Sequence, residues 1–507
     1  MTLDQSVELF MAGRLDEARR ACRKLLDKRA DLVEAHVLLA EIHRQAGDDG
    51  RARETIARVL KLRPAWREGN VHLAIGDLFA DFGRHAEAQA AYRRALERQP
   101  GLADARYNLA SSLNAEGRAE DAIVELQALV AADPGATDAR EHLVHLLQAQ
   151  RRFDEMEAAC RAGPNTSFFQ NKLGVALWWR ERHDEALAAY RNAGALAEPR
   201  SELHESAKLL EANALLTLGR YAEGWEAYRW RRTRRIARAS HPELIDDPRM
   251  VPAGKSVRIV CEQGLGDELF FLRFAAPLRE RGHQISVSGN GKLTALLPDL
   301  VSGEKPQFTL ASGDLPLASG LDFAPPLPVP VDSARRAEME ARLRAFGPPP
   351  YIAVTWRAGL LPHEPKPQGA LYWVKDIPAE LLGQALRPVH ARVVVLQRRP
   401  ESEAMRRFTE ALGRDALDLS QTNDDLRDAA AVLSVVDDYV GVSNTNMHLR
   451  AGLAKPARVL VLTPPEWRWA LDGPSSPWFP GFALYRQRMG RDWTEAVAQL
   501  SAALQQK

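Results

Sequence analysis

Four stretches decide how the first half folds: AGRLDEARRACRKLL (12–26), AGDDGRARETIARVL (46–60), FGRHAEAQAAYRRAL (82–96) and EGRAEDAIVELQALV (116–130). Laid beneath one another, they put Gly13, Gly47, Gly83 and Gly117 in one column and Ala18, Ala52, Ala88 and Ala122 in another, five positions later. The register continues with less typical residues at Arg151/Met156, Glu181/Ala186 and Gly219/Gly224, and prolines close the repeats at Pro64, Pro100, Pro134, Pro164 and Pro199. A glycine adopts the left-handed backbone that ends a first helix at little cost. A small residue lets the second helix approach closely, and proline cannot continue that helix. One such hairpin cannot bury its own apolar face, so stability requires stacking. The spacing predicts seven helix–turn–helix units, within a helical domain over 1–235.

These residues resemble tetratricopeptide repeats, in period and in small-residue register. The resemblance implies a concave surface for an extended peptide or another protein, and is compatible with self-association into a homo-oligomer. After it comes YRWRRTRRIAR (Tyr228–Arg238), with six arginines in ten residues from Arg229. Arginine forks suit phosphate, but the expectation here is a solvated, charged junction.

Beyond Ser256 the pattern changes to short β-branched runs separated by helical segments: VRIVC (257–261), HQISVSG (283–289), YIAVTW (351–356), RVVVLQ (392–397), DDYVGVS (437–443) and ARVLVL (457–462). Strand–loop–helix–strand alternation predicts parallel α/β structure. The proline-rich stretches PPLPVP (325–330) and GPPP (347–350) separate two such units. The expected fold class is therefore α plus α/β, with one Rossmann-like lobe over 236–330 and a second over 331–507. Ligands in such sheets sit at the carboxyl ends of strands.

The segments CEQGLGDELFFLRF, TWRAG, VSNTNMHLRAGLAKP and PPEWRWALDGPSSPWFPGFALYRQ together look like the C-terminal module of tetratricopeptide-repeat glycosyltransferases. That module is similar to bacterial heptosyltransferases of the GT-B architecture. The resemblance implies metal-independent, inverting transfer of a sugar from a nucleotide-diphosphate sugar, with no cofactor. The module is short for two full halves, so the first lobe is expected to be trimmed, with the last helices of the array packed in its place.

Such chemistry needs a base for the acceptor hydroxyl and groups to stabilise the departing diphosphate. Asp267 is the candidate base. Gly264 and Gly266 are expected to allow a tight turn after the strand, setting Asp267 at a helix start, and the resemblance gives the matching aspartate that role. Glu262 and Glu268 are weaker alternatives, and a helix-capping role for Asp267 competes with all of these. For the leaving group, Ser443, Asn444, Thr445 and Asn446 open a helix whose free N–H groups attract pyrophosphate. The family's usual stretch is Asp-Thr-x-x-x-His. His448 matches it, whereas Ser443 and Asn444 stand where aspartate and threonine are usual, removing a carboxylate. Arg357 and Lys375 are candidate phosphate partners, and Gln397 a candidate contact to the base or ribose. The segment 358–371 is a candidate lid. The aromatic residues Trp467, Trp469, Trp478, Phe479 and Tyr485 are expected to pack a lobe.

Composition narrows the partners. There are 68 basic and 67 acidic residues, a net charge of +1, without the basic excess of a nucleic-acid binder. Three cysteines at unrelated spacings fit a reducing compartment. No secretory signal pattern and no long apolar run stands out, so the expected location is the cytoplasm. The function expected is glycosyl transfer to a protein or peptide hydroxyl, with flagellin a reasonable acceptor by analogy. The alternatives are a transferase acting on lipid-linked saccharide and a repeat scaffold with a degenerate transferase domain.

Overall fold

In the computed structural model the described residues are 2–61, 69–300, 305–358, 375–488, 490 and 492–506. They form two compact units, Met1–Ala186 and Leu187–Lys507.

The first unit is built of antiparallel helix pairs: Leu3–Met11 with Leu15–Lys28, Val33–Gln45 with Asp49–Lys61, Gly69–Asp81 with His85–Arg98, Ala103–Ala115 with Ala119–Ala132, and Thr137–Ala149 with Phe153–Arg161. Helix Ser167–Trp179 and the start of His183–Leu196 complete it. Gly13, Gly47, Gly83 and Gly117 each turn the chain at φ between +69° and +77°. Arg151 and Glu181 adopt the same left-handed backbone at +59° without being glycine. The small-residue column is fully buried at Ala18, Ala52, Ala88, Ala122, Met156 and Ala186. Pro64 and residues 359–371 of the expected lid lie outside the described residues.

The second unit opens with the end of His183–Leu196 and a last pair, Glu202–Thr217 with Tyr221–Tyr228, followed by Arg232–Ser240. Gly219 turns this pair at φ +76°. At Gly224 a Cβ would lie 2.6 Å from Leu216, so the pair packs closely there.

Two parallel sheets follow. Strands β1 (Ser256–Val260), β2 (Gln284–Ser288) and β3 (Phe308–Ala311) make a three-stranded sheet in the order β2-β1-β3. A short hairpin pairs β5 (Arg357–Ala358) with β6 (Lys375–Asp376). The larger sheet contains β4 (Tyr351–Thr355), β7 (Arg392–Val395), β8 (Ala416–Asp418), β9 (Asp438–Val442), β10 (Ala457–Val461) and β11 (Phe482–Arg486), in the order β11-β10-β9-β4-β7-β8. Read from β8, this is the 3-2-1-4-5-6 order of doubly wound dinucleotide folds. Strands β4, β9 and β10 are buried along their whole length, as expected where helices cover both faces.

The last helices of the array pack on the small sheet and on the aromatic residues of the C-terminal segment. Trp225 makes edge contacts with Phe271, Phe274, Trp467 and Trp478 at ring distances of 5.4–6.1 Å, and Leu244 bridges to Thr309 of β3. This packing explains why the compact boundary falls at 186/187 and not at the 235/236 junction read from the sequence. The arginine run is also corrected. Arg231 is buried, pairing with Glu262 and with Asp314 at 2.9 Å, and Arg234 reaches Asp314 at 2.9 Å. At Arg231 and Arg234 the junction is an internal ion-pair cluster, while Arg232 and Arg235 stay on the solvated face. Breaking such a buried pair from one side leaves an uncompensated charge, which costs about 3–5 kcal/mol.

Candidate functional site

The strand order of the large sheet reverses between β4 and β9, so their carboxyl ends flank the crevice where such sheets bind ligands. Asn444 fastens this point. Its Oδ1 accepts the Asn446 N–H at 2.9 Å, and its Nδ2 donates to Thr355 Oγ1 at 2.7 Å and to the Tyr439 hydroxyl at 3.1 Å. It therefore caps the helix Thr445–Gly452 and ties β9 to the end of β4. Asn446 is buried and donates to Asn423. Thr445 is half-buried, and its Cα lies 3.5 Å from where a Cβ at Gly266 would be.

One residue earlier, the Ser443 hydroxyl donates to Glu466 Oε1 at 2.7 Å. From Glu466 a chain of charges runs outward. Lys375 pairs with its other oxygen, Arg468 Nη1 lies 3.5 Å away, and Arg468 Nη2 pairs with Asp267 at 2.5 Å. The side chains are 28% exposed at Lys375, 15% at Glu466, 7% at Arg468 and 38% at Asp267. Burial opposes the charge on Glu466, but Lys375, Arg468 and the Ser443 hydrogen bond prevail and hold its pKa at about 2. Burial likewise opposes the charge on Arg468, yet Asp267 and Glu466 raise its pKa above the ordinary arginine value. Its guanidinium also lies 4.2 Å from the Trp467 ring centre and 4.8 Å from that of Phe270, a geometry attractive to a desolvated cation.

Asp267 belongs to the first turn of helix Leu265–Phe271, whose N-cap is Gly264, so its side chain is not the cap. Arg468 holds Oδ1, and Oδ2 lies over Gly264, where a Cβ would come within 3.3 Å. Neither loop glycine serves as expected: Gly264 has φ −72°, open to any residue, and Gly266 has no left-handed backbone either. Gly266 is instead a point of close approach. A Cβ there would stand 3.1 Å from His448 Cδ2 and 3.3 Å from its Nε2. His448 is buried under this loop, between Phe270 and Phe479. Burial, with Arg468, Arg273 and Lys375 nearby, drives its pKa well below 6.5, so it is neutral at physiological pH.

The remaining candidates lie apart from this chain of charges. The carbonyl oxygen of Gln397 accepts the N–H groups of Trp356 and Arg357 at 3.0 and 2.9 Å, and its amide donates to the Arg398 carbonyl. Buried, it braces the end of β4 through the two backbone N–H groups its oxygen accepts. Arg357 pairs with Glu401 at 3.1 Å and donates to the Arg399 carbonyl. Glu268 is buried with Oε1 accepting the N–H groups of Glu262 and Gln263, and burial raises its pKa; Glu262 is bound to Arg231. Neither is placed as a base.

Glu466 and Arg468 escaped the sequence reading. Both stand in EWRW (466–469), where charges alternate with tryptophans expected to pack a lobe. The tryptophans do pack: Trp467, Trp469, Trp478, Phe479 and Tyr485 are all buried. Charge inside such a run was the available signal. Beside Glu466 a shallow, solvent-open hollow of about 10 Å³, room for roughly one water, is lined by Lys375, Ser443, Pro464, Trp469 and the end of β10.

Among the described residues no helix is long and apolar enough to cross a membrane. Protein FlbA of Caulobacter vibrioides is 27% identical over 342 residues, which cover 58% of this chain and 54% of that protein. The chain thus spans about half the length of this relative. Among solved structures, the C-terminal part of a TPR repeat-containing protein from Cytophaga hutchinsonii aligns with 45% of this chain and 93% of its own, at 13% identity and a TM-score of 0.40. PilF of Pseudomonas aeruginosa aligns with 40% and 93%, at 16% identity and a TM-score of 0.33. Family models described as tetratricopeptide repeat match residues 9–70 and 73–137, so these segments carry tetratricopeptide repeats.

Proposed function

We propose that the chain is a glycosyltransferase of GT-B type, moving a sugar from a nucleotide-diphosphate sugar to a hydroxyl of a protein or peptide held by the repeats. Flagellin is the kind of acceptor proposed, on the analogy drawn from the sequence. The observation that carries the reading is Asp267. It stands in the first turn of the helix after β1, stays partly exposed, and is oriented by Arg468 from the loop after β10. In the proposed reaction the acceptor oxygen bonds to the anomeric carbon while the bond from that carbon to the diphosphate breaks. The bonding pair leaves with the diphosphate, and the acceptor proton passes to the Asp267 carboxylate. Lys375 and the N–H groups opening helix Thr445–Gly452 are the groups proposed to steady the leaving charge.

One observation favours a second reading, a scaffold that binds without turnover: Ser443, Asn446 and His448 are all buried. The test is nucleotide release from UDP-, GDP- and ADP-sugars, with Asp267→Asn alongside. Release that falls by about 10²-fold or more in the variant supports the transferase. Binding without release, unchanged by the substitution, supports the scaffold.

A further inference from the structure

The groups proposed to meet the donor's diphosphate are already in contact with an anion of the protein itself. Ser443 Oγ donates to one oxygen of Glu466 and Lys375 Nζ pairs with the other. Counted along the chain, Lys375 and Arg468 are balanced by Glu466 and Asp267, so these four residues carry no net positive charge toward a ligand. A diphosphate entering beside Ser443 would meet a neutralised lysine and, next to it, a carboxylate. That carboxylate is also where the sequence departs from its family resemblance: the family's aspartate is replaced by Ser443, and Glu466 brings a carboxylate to the Ser443 hydroxyl from 23 positions further along.

We propose that Glu466 is an internal competitor of the donor's diphosphate, holding Lys375 and the Ser443 hydroxyl until a diphosphate displaces its carboxylate from them. This rests on the reading of the site as one for a nucleotide-diphosphate sugar. Its consequence is selectivity. A ligand must bring anionic charge of its own to win Lys375, so the device discriminates against uncharged nucleosides while weakening the hold on diphosphate.

The probes are UDP, GDP and ADP, with uridine, guanosine and adenosine as uncharged controls, titrated against the full chain by isothermal titration calorimetry. Glu466→Gln keeps an oxygen for Ser443 but frees the lysine charge. It is expected to bind a diphosphate about fivefold tighter, the scale of a partly exposed ion pair, with the uncharged nucleoside unchanged. Lys375→Met is expected to weaken diphosphate binding about fivefold, and in combination with Glu466→Gln to erase the gain. If the parent chain binds a diphosphate and Glu466→Gln, melting normally, binds it no more tightly, the competitor is overturned while the transferase reading stands. If no diphosphate binds any variant, both fall. Should Glu466→Gln fail to fold, Lys375→Met decides, and an unchanged diphosphate affinity overturns the proposal.

Discussion

In the helical array, the residues that set each turn lie five positions apart and recur in every pair. In the α/β region, the residues that meet at the site are distant: Asp267 and Arg468 are separated by 201 positions, Thr355 and Asn444 by 89. The array is thus a sum of local units, and damage to one turn should stay small. The site exists only once two sheets, their loops and the last helices have come together, so damage to its supports should be large.

The greatest effect is expected at Trp225, the residue through which the last helix pair holds the aromatic core. It is 2% exposed, and Trp225→Ala should destabilise the α/β region by about 3–5 kcal/mol. Urea unfolding followed by circular dichroism reads this; an unchanged midpoint would break the contrast. Next comes Gly266→Ala. Its Cβ would press on His448 from 3.1 Å, in a buried setting where overpacking costs about 1–3 kcal/mol. Gly264→Ala, at an ordinary φ and facing only the Asp267 carboxylate, should unfold near the parent midpoint. Equal losses in the two would refute the close-approach role of Gly266.

This pair of glycines also marks where sequence reading ended. The loop, its helix and the position of Asp267 were legible, because a β-branched run followed by Gly-x-Gly and an amphipathic stretch has few local solutions. That Gly266 presses on His448 was not, since it depends on the distance between elements remote in sequence. Six strands were read from β-branched runs. β3 (FTLA), β8 (ALD) and β11 (FALYR) were not, being too short or too aromatic to separate from loop or packing. The burial of Arg231 within the arginine run was not legible, because its partners, Glu262 and Asp314, lie 31 and 83 positions away. Arg357 and Gln397 were placed at the right strand ends, but neighbouring backbone and Glu401 claim their polar atoms.

A smaller effect should appear with pH. The folded pKa of His448 lies well below 6.5, so the unfolded chain binds its proton first. The stability this group carries is present above pH 6.5 and is lost as pH falls below it, by up to about 1.4 kcal/mol per unit. His448→Asn should flatten that part of the profile between pH 7 and 5.5. An identical slope in the variant would show that His448 takes up its proton in the folded protein.

The smallest effect tests the array, by exchanging residues between two copies of one turn. Gly117 (φ +77°) and Glu181 (φ +59°) do the same conformational work, but only the glycine does so without its Cβ crowding the following carbonyl, a strain of roughly 1–2 kcal/mol. Glycine also gains more freedom in the unfolded chain, which removes roughly 0.5–1 kcal/mol of that advantage. The two terms leave Glu181→Gly more stable by about 0.5 kcal/mol. Gly117→Ala, with no atom within 4 Å of the added Cβ, should lose a similar net amount, backbone strain less the unfolded-chain freedom that glycine gives up. Opposite signs in thermal melts of the two variants would mean that each turn obeys its own backbone. The same sign in both would mean that neighbouring pairs, not the turn residue, set its energy, and the array would then be governed at a distance as the site is.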